Sequence, residues 1–469
     1  MGTRMLTWLL LIGYLSIQLG IGYYISKRIK NDQDYYLGGR SIGYVPATFS
    51  IFATWFGAET CIGSSAAVFS DGLAGSKADP FGYTLCLVLA GYFLASQLWK
   101  KNITTLGDLF RARYSVSVEK IAVMVIIPSS LIWAAAQMQA FGHILSVVTK
   151  IDTQMALVLA TVIVVAYTSL GGLLADVVND VLQGSIVIIG LVAVLFFAIF
   201  QMGGVEASVQ AIASQPEKLS FRSPDESLLA QMDTWFIPIL GSLIAQEMIS
   251  RILATRNPQI ARRATLSASL VYFFVGCIPI ILGLLGTSLV SGELPHDEHF
   301  LPALAQILLP NWMFIIFSGA IIAAIMSTVD SALLAVSAYT THNLLGPAYQ
   351  KLSAKKQVAT ARGVLIVSGV VAFVIAFSGE GVYALVEMAS SFGAAGVLIV
   401  TFGGLWTKNF AGPKTAGATL IAGCVLNLAY QYVFELEAPF LTSIASALII
   451  YLVGGFFESY TRKQHTAAA

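Results

Sequence analysis

Charge is scarce in this chain. The 26 Lys+Arg and 25 Asp+Glu make up only 11% of 469 residues, where a soluble domain carries about 25%. A water-facing surface cannot be built from so little, so an ordinary soluble fold is excluded. The net charge of +1 leaves no clustered basic face for nucleic acid. Cysteine is equally sparse: Cys61, Cys86, Cys277 and Cys424 lie scattered in apolar stretches with no Cys-x-x-Cys spacing, which offers neither a disulfide framework nor a metal cluster. The five histidines form no His-Glu-x-x-His pattern. The string Gly39 to Gly43 matches Gly-x-Ser-x-Gly, but it lacks the strand-turn-helix setting that a nucleophile elbow requires. The sequence reads as neither an enzyme nor a chain with an obligate protein partner.

What the chain has in abundance is long apolar runs, with 57% hydrophobic residues. They fall at about 5–27, 43–70, 80–99, 118–149, 154–170, 178–203, 233–253, 263–290, 312–343, 358–378, 382–406, 413–433 and 439–458, thirteen in all. A spanning helix needs ~20 apolar residues, whereas barrel strands would alternate over about ten. The expected fold class is therefore all-α and integral to a lipid bilayer, with thirteen transmembrane helices. The first run is too long for a signal-peptide core and shows no small-residue cleavage site before Lys27, so it counts as a helix. Basic residues should crowd cytoplasmic faces. With an external N-terminus and a cytoplasmic C-terminus, 21 of the 26 Lys+Arg fall on one side, which suits a multi-pass protein of the plasma (inner) membrane.

Two of the runs are interrupted. The second carries Ala53-Thr54-Trp55-Phe56-Gly57-Ala58-Glu59-Thr60 at mid-membrane depth, and the seventh carries Pro238, Gly241, Ser242, Gln246 and Glu247. These breaks hold corresponding places in two five-helix halves, which is the pointer to an inverted-repeat transporter with its site at the repeat interface. Residues 1–469 then form one transmembrane domain. Helix 5–27 lies outside the repeat, repeat one is about 43–203, repeat two about 233–406, and extra helices cover 413–458. Glu59, Asp180, Glu247, Asp330 and Glu387 lie within the spans with no Lys or Arg expected at comparable depth, which reads as a cation-handling interior.

In the ninth run Ala324, Ser327, Thr328 and Ser331 share one helical stripe. A small residue followed by hydroxyls lets a hard cation reach backbone and side-chain oxygen together. Carbonyls freed in the stretch Ala53 to Phe56 would complete the shell.

Three motifs carry a resemblance: Tyr36-Leu37-Gly38-Gly39-Arg40, the run Tyr167-Thr168-Ser169-Leu170-Gly171-Gly172 followed by Asp180 and Gln183, and the stretch Ala324 to Ser331. Over residues 33–460 the chain resembles the sodium/solute symporter family, which includes bacterial proline, sialic acid and sugar symporters and animal glucose, iodide and high-affinity choline transporters. The resemblance implies a leucine-transporter-like five-plus-five fold. It implies a sodium ion held by the carbonyls of Ala53, Phe56 and Ala324 and the hydroxyls of Ser327 and Thr328. In some relatives a second cation site uses the positions matching Asp180, Ser327, Asp330 and Ser331. This chain has Asn179 where many relatives carry Thr or Ser, and Asp330 where some carry Ser.

Candidate solute-binding residues are Trp55, Glu59 and Thr60 on the first broken helix, Tyr83 on the next, Trp133 and Gln137 on the fourth run, and Gln246 and Glu247 on the second broken helix. Trp55, Tyr83 and Trp133 resemble aromatic positions of the choline branch, although no Trp lies near Ala245. Aromatic faces with carboxylates suit an ammonium. The reading is a sodium-coupled symporter taking up a small organic solute by alternating access, an amine or amino acid. A transporter-like sensor and a proton-coupled symporter stand as alternatives.

Overall fold

The computed structural model describes residues 13–468 apart from 14, 15, 19, 26, 28, 30, 224, 225, 291–295, 380, 408 and 409. Among the described residues extended pairing is limited to one isolated bridge between Ile42 and Thr255, and the rest of the regular structure is helical. The principal helices are α1 (Tyr44–Trp55), α2 (Ser64–Asp71), α3 (Tyr83–Leu89), α4 (Leu106–Arg113), α5 (Val116–Thr149), α6 (Thr153–Gln201, two helices joined across a kink at Gly172, φ +65), α7 (Leu228–Leu240), α8 (Gln246–Leu253), α9 (Pro258–Leu289), α10 (Asn311–Ala338), α11 (Ala354–Ser378), α12 (Val382–Ser391), α13 (Ala394–Trp406), α14 (Pro413–Tyr432) and α15 (Pro439–Ala468).

Seven described helices are long and apolar enough to cross a membrane, or nine if each bent pair is one span. That criterion does not confirm a count of thirteen. The run at 43–70 is divided by its break, the helix Thr153–Ala166 is short, α14 is not among the seven, and the run at 5–27 lies largely outside the described residues.

Local chemistry explains where helices begin and stop. The Ser115 side chain accepts from the Val118 amide to start α5, and Asn257 does the same for Ile260 ahead of Pro258 at the first turn of α9. Phe56 leaves helical geometry at ψ 67. The Gly57 amide then bonds the Trp55 carbonyl at 2.8 Å, and the Ala53 carbonyl loses its helical donor. The Ala58 amide donates to Gln137 Oε1 on α5 at 3.0 Å, so this donor, freed by the break, is satisfied across helices as a lipid setting demands.

A second break separates α7 from α8, bent by 44°, where Ala245 is extended at ψ 121. A third separates α12 from α13, bent by 42°, with Gly393 at φ +68. That third break stood unread inside an unbroken apolar run.

Burial sorts the helices into core and rim. In α10 the most apolar window is 83% buried, against 28% in α11 and in the span Pro439–Arg462. The rim helices present Val367, Val370, Val374 and Phe377, and Ile449, Val453 and Phe456, on exposed faces. Contiguous apolar surface on that scale fits lipid, not water.

Candidate functional site

The first break packs onto α10. A methyl group at Gly57 would stand 2.8 Å from both Thr328 Oγ1 and Gln137 Oε1, so glycine is what lets the turn approach the Ser327-Thr328 pair. Ala53, Phe56, Ala324, Ser327 and Thr328 are all buried there, and Thr328 donates back to the Ala324 carbonyl at 3.1 Å. Asp180 of α6 ties the two helices together, accepting from Ser50 on α1 and from Ser327 on α10. The donor set is entirely oxygen, the chemistry a hard cation takes.

The three aromatic candidates converge. Trp55 and Tyr83 have ring centroids 5.4 Å apart, and Tyr83 meets Trp133 edge-on at 6.2 Å. A cavity opens beside them, lined by Trp55, Trp133, Ser242, Gln246, Glu247 and Ser390 among others. It leaves about 30 Å³ for the centres of water-sized molecules, and one water needs at least ~10–15 Å³ by that measure. An organic solute does not fit until the helices part. Gly241 sits at the second break with the Ser390 carbonyl 2.1 Å from where a methyl group would be, so this turn touches α12 directly.

Other candidates are drawn elsewhere. Thr60 donates to Asp79 Oδ1 at 3.0 Å and lies 2.7 Å from the Tyr272 hydroxyl, within a buried knot that sequence reasoning missed. Gln137 is committed to the backbone of the first break. Gln246 accepts from the Leu106 amide at 3.0 Å and donates to Ser250 at 2.9 Å, so its amide faces α4 although it borders the cavity. Glu59 is buried with the Tyr83 hydroxyl at 3.5 Å and its Oε2 unpartnered. Glu247 is buried and lines the cavity.

Two expectations are corrected. Glu387 is exposed, bordering a surface groove with Asp233, so it is not an interior carboxylate. The interior is not free of Arg: Arg251 is 1% exposed, and its guanidinium bonds the carboxylate of Asp176 and the hydroxyl of Ser331. Asp180 stands 3.7 Å away. Counting Arg251 as a loop charge overlooked that α8 continues to Leu253 and buries that face. Asp176 and Ser390 were missed as well. An aspartate four residues before Asp180, in the short gap between two apolar runs that the helix bridges, was the available signal for the first, and the Ser390-Ser391-Phe392-Gly393 cluster for the second.

At the C-terminal end of α5, His143 Nε2 lies 3.0 Å from Glu298, whose other oxygen accepts the Val382 amide at 2.8 Å. The rings of His143, His296 and His299 are mutually 5.3–5.5 Å apart. Burial, then the neighbouring imidazoles, pushes His299 down to about 4.

The family model described as the sodium:solute symporter family matches residues 35–422. The high affinity choline transporter 1 of Homo sapiens is 26% identical over 441 residues, covering 89% of this chain and 75% of that protein. The sodium/pantothenate symporter of Escherichia coli (strain K12) is 24% identical, covering 95% of each. Among solved structures, a substrate-bound, outward-open Na+-coupled sialic acid symporter superposes with a TM-score of 0.81 at 20% identity, over 96% of this chain and 97% of that one.

Proposed function

This chain belongs to the sodium:solute symporter family, and from that premise we propose that the small organic solute it carries with sodium bears an ammonium group. Sodium-coupled symport across a membrane, on a leucine-transporter-like fold, comes with the family and its structural neighbours. The narrower reading rests on one observation: Trp55, Tyr83 and Trp133 meet beside a cavity bordered by Glu247. Aromatic faces attract a cation through their quadrupole, by ~2 kcal/mol or more once desolvated. A carboxylate at the same wall completes a site selective for positive charge. The name of the human relative, a choline transporter, agrees with that chemistry.

The sodium ion is held by the carbonyls of Ala53, Phe56 and Ala324 and the hydroxyls of Ser327 and Thr328. The contact of Gly57 with Thr328 and the released Ala53 carbonyl support that set. The ion draws the first broken helix onto α10, and the solute between the breaks draws α8 and α12 inward. Repeats at about 43–203 and 233–406, a plasma-membrane location, an external N-terminus and a cytoplasmic C-terminus complete the reading.

Purified protein in liposomes, offered amines, amino acids, sugars and carboxylates with and without a sodium gradient, tests it. Sodium-dependent uptake of an amine or amino acid is expected. Uptake of an uncharged sugar or a dicarboxylate alone refutes the ammonium reading, and full uptake on a proton gradient alone refutes the sodium site.

A further inference from the structure

The buried charge cluster behind the sodium site contains a cation of its own. Asp176 and Asp180 on α6, with Ser327, Asp330 and Ser331 on α10, gather oxygens where a second small cation would be held. Ser327 and Ser331 each donate to Asp176 at 3.2 Å, and Asp330 is buried on the same helix with Oδ1 unpartnered. The guanidinium of Arg251 lies among them, bonded to Asp176 and to Ser331, 3.7 Å from Asp180, with Nη1 donating to the Glu247 carbonyl at 3.2 Å. A guanidinium carries five donors and no acceptor, so it consumes the same oxygens that a hard ion would take.

We propose that Arg251 is a tethered cation filling the second cation position, so that one sodium ion, not two, accompanies each solute. Two positive charges a few ångströms apart within a buried site repel, and the position between Asp176 and Ser331 already has its positive partner. Arg251 also stands at the fourth residue after Glu247 on α8. The side chain that fills the cation position therefore hangs from the same short helix that borders the solute cavity. A covalently held charge cannot be released to the cytoplasm, so it adds no ion to the cycle.

This inference rests on the sodium reading above, and sodium binding alone separates the two. Radioactive sodium is titrated onto the purified full-length protein, without solute, and bound ions per chain are counted. Wild type is expected to bind one ion with a Hill coefficient near 1, and Ser327→Ala to bind it at least tenfold more weakly. Arg251→Gln, which empties the position and leaves both aspartates, is expected to bind two with a coefficient approaching 2. Arg251→Lys, which keeps a tethered charge, is expected to stay at one. A count of two in wild type overturns the inference while leaving the sodium reading intact, and it does so whether or not either Arg251 variant folds. A count of one in a folded Arg251→Gln protein also overturns it. No sodium bound by wild type sinks the underlying reading and this one with it.

Discussion

Single side chains carry the first predictions. Ser327→Ala and Thr328→Ala each remove one hydroxyl from a buried oxygen set, and the former also takes a donor from Asp180. Half-saturating sodium should rise at least tenfold in each, a loss of about 1.4 kcal/mol, in uptake measured against sodium concentration. Trp133→Ala deletes one aromatic wall of the cavity. Solute affinity should fall by roughly thirtyfold, equivalent to about 2 kcal/mol, while half-saturating sodium moves little. Trp133→Phe should recover most of the loss; equal loss of both affinities would mark Trp133 as a packing residue. The aromatic trio was picked out by its resemblance to the choline branch and the Ser-Thr pair by its spacing on one helical stripe, and the structure brings the three rings together and sets the pair against the first break. Arg251 was not. A basic residue near a helix end reads as a loop charge until the helix's buried face is known, and its partner Asp176 lies 75 positions away, beyond any local pattern.

Helix breaks carry the next. Gly241 faces a backbone carbonyl at 2.1 Å from a built methyl, whereas Gly57 faces two side-chain ends at 2.8 Å. Gly241→Ala should therefore abolish uptake and lower the melting temperature, since backbone must move, and Gly57→Ala should keep the fold while weakening sodium dependence. Comparing melting and uptake in both variants checks the ranking. The histidine cluster adds a pH dependence. His299 is held at about 4 against 6.5, so the folded protein binds that proton less readily than the unfolded chain. Stability is then full above about 6.5, falls as pH drops toward about 4, and levels below. Between pH 7 and 4, wild type should lose more melting temperature than His299→Gln; equal losses would place the titration elsewhere. Two of the three breaks were visible because Gly, Pro and polar residues interrupt apolar runs at Gly57 and Gly241. The third, at Phe392 and Gly393, follows two serines that read as ordinary helix polarity, and only its 42° bend exposes it.

At the scale of the whole molecule, the energy of the cycle follows from the number of ions. One charge falling through 100 mV releases ~2.3 kcal/mol, and a tenfold sodium gradient adds about 1.4 kcal/mol. One ion then sustains accumulation of a neutral or zwitterionic solute by roughly several hundredfold. A cationic solute brings its own charge, so the current should carry about two charges per solute molecule for a quaternary amine and one for an amino acid zwitterion, measured as charge against labelled uptake. The fold class was readable from continuous apolar runs, and the count of thirteen stays unconfirmed, because a test by helix length and composition among the described residues passes over broken and short helices. The cavity between the breaks, with its 30 Å³ of room, has a consequence for economy. Among the described residues that chamber has room for about two waters, fewer than the shell a hydrated ion carries. A chamber of that size admits sodium stripped of its water or not at all, so sodium flux without solute should be small beside sodium flux with it, measured as labelled sodium entry into liposomes.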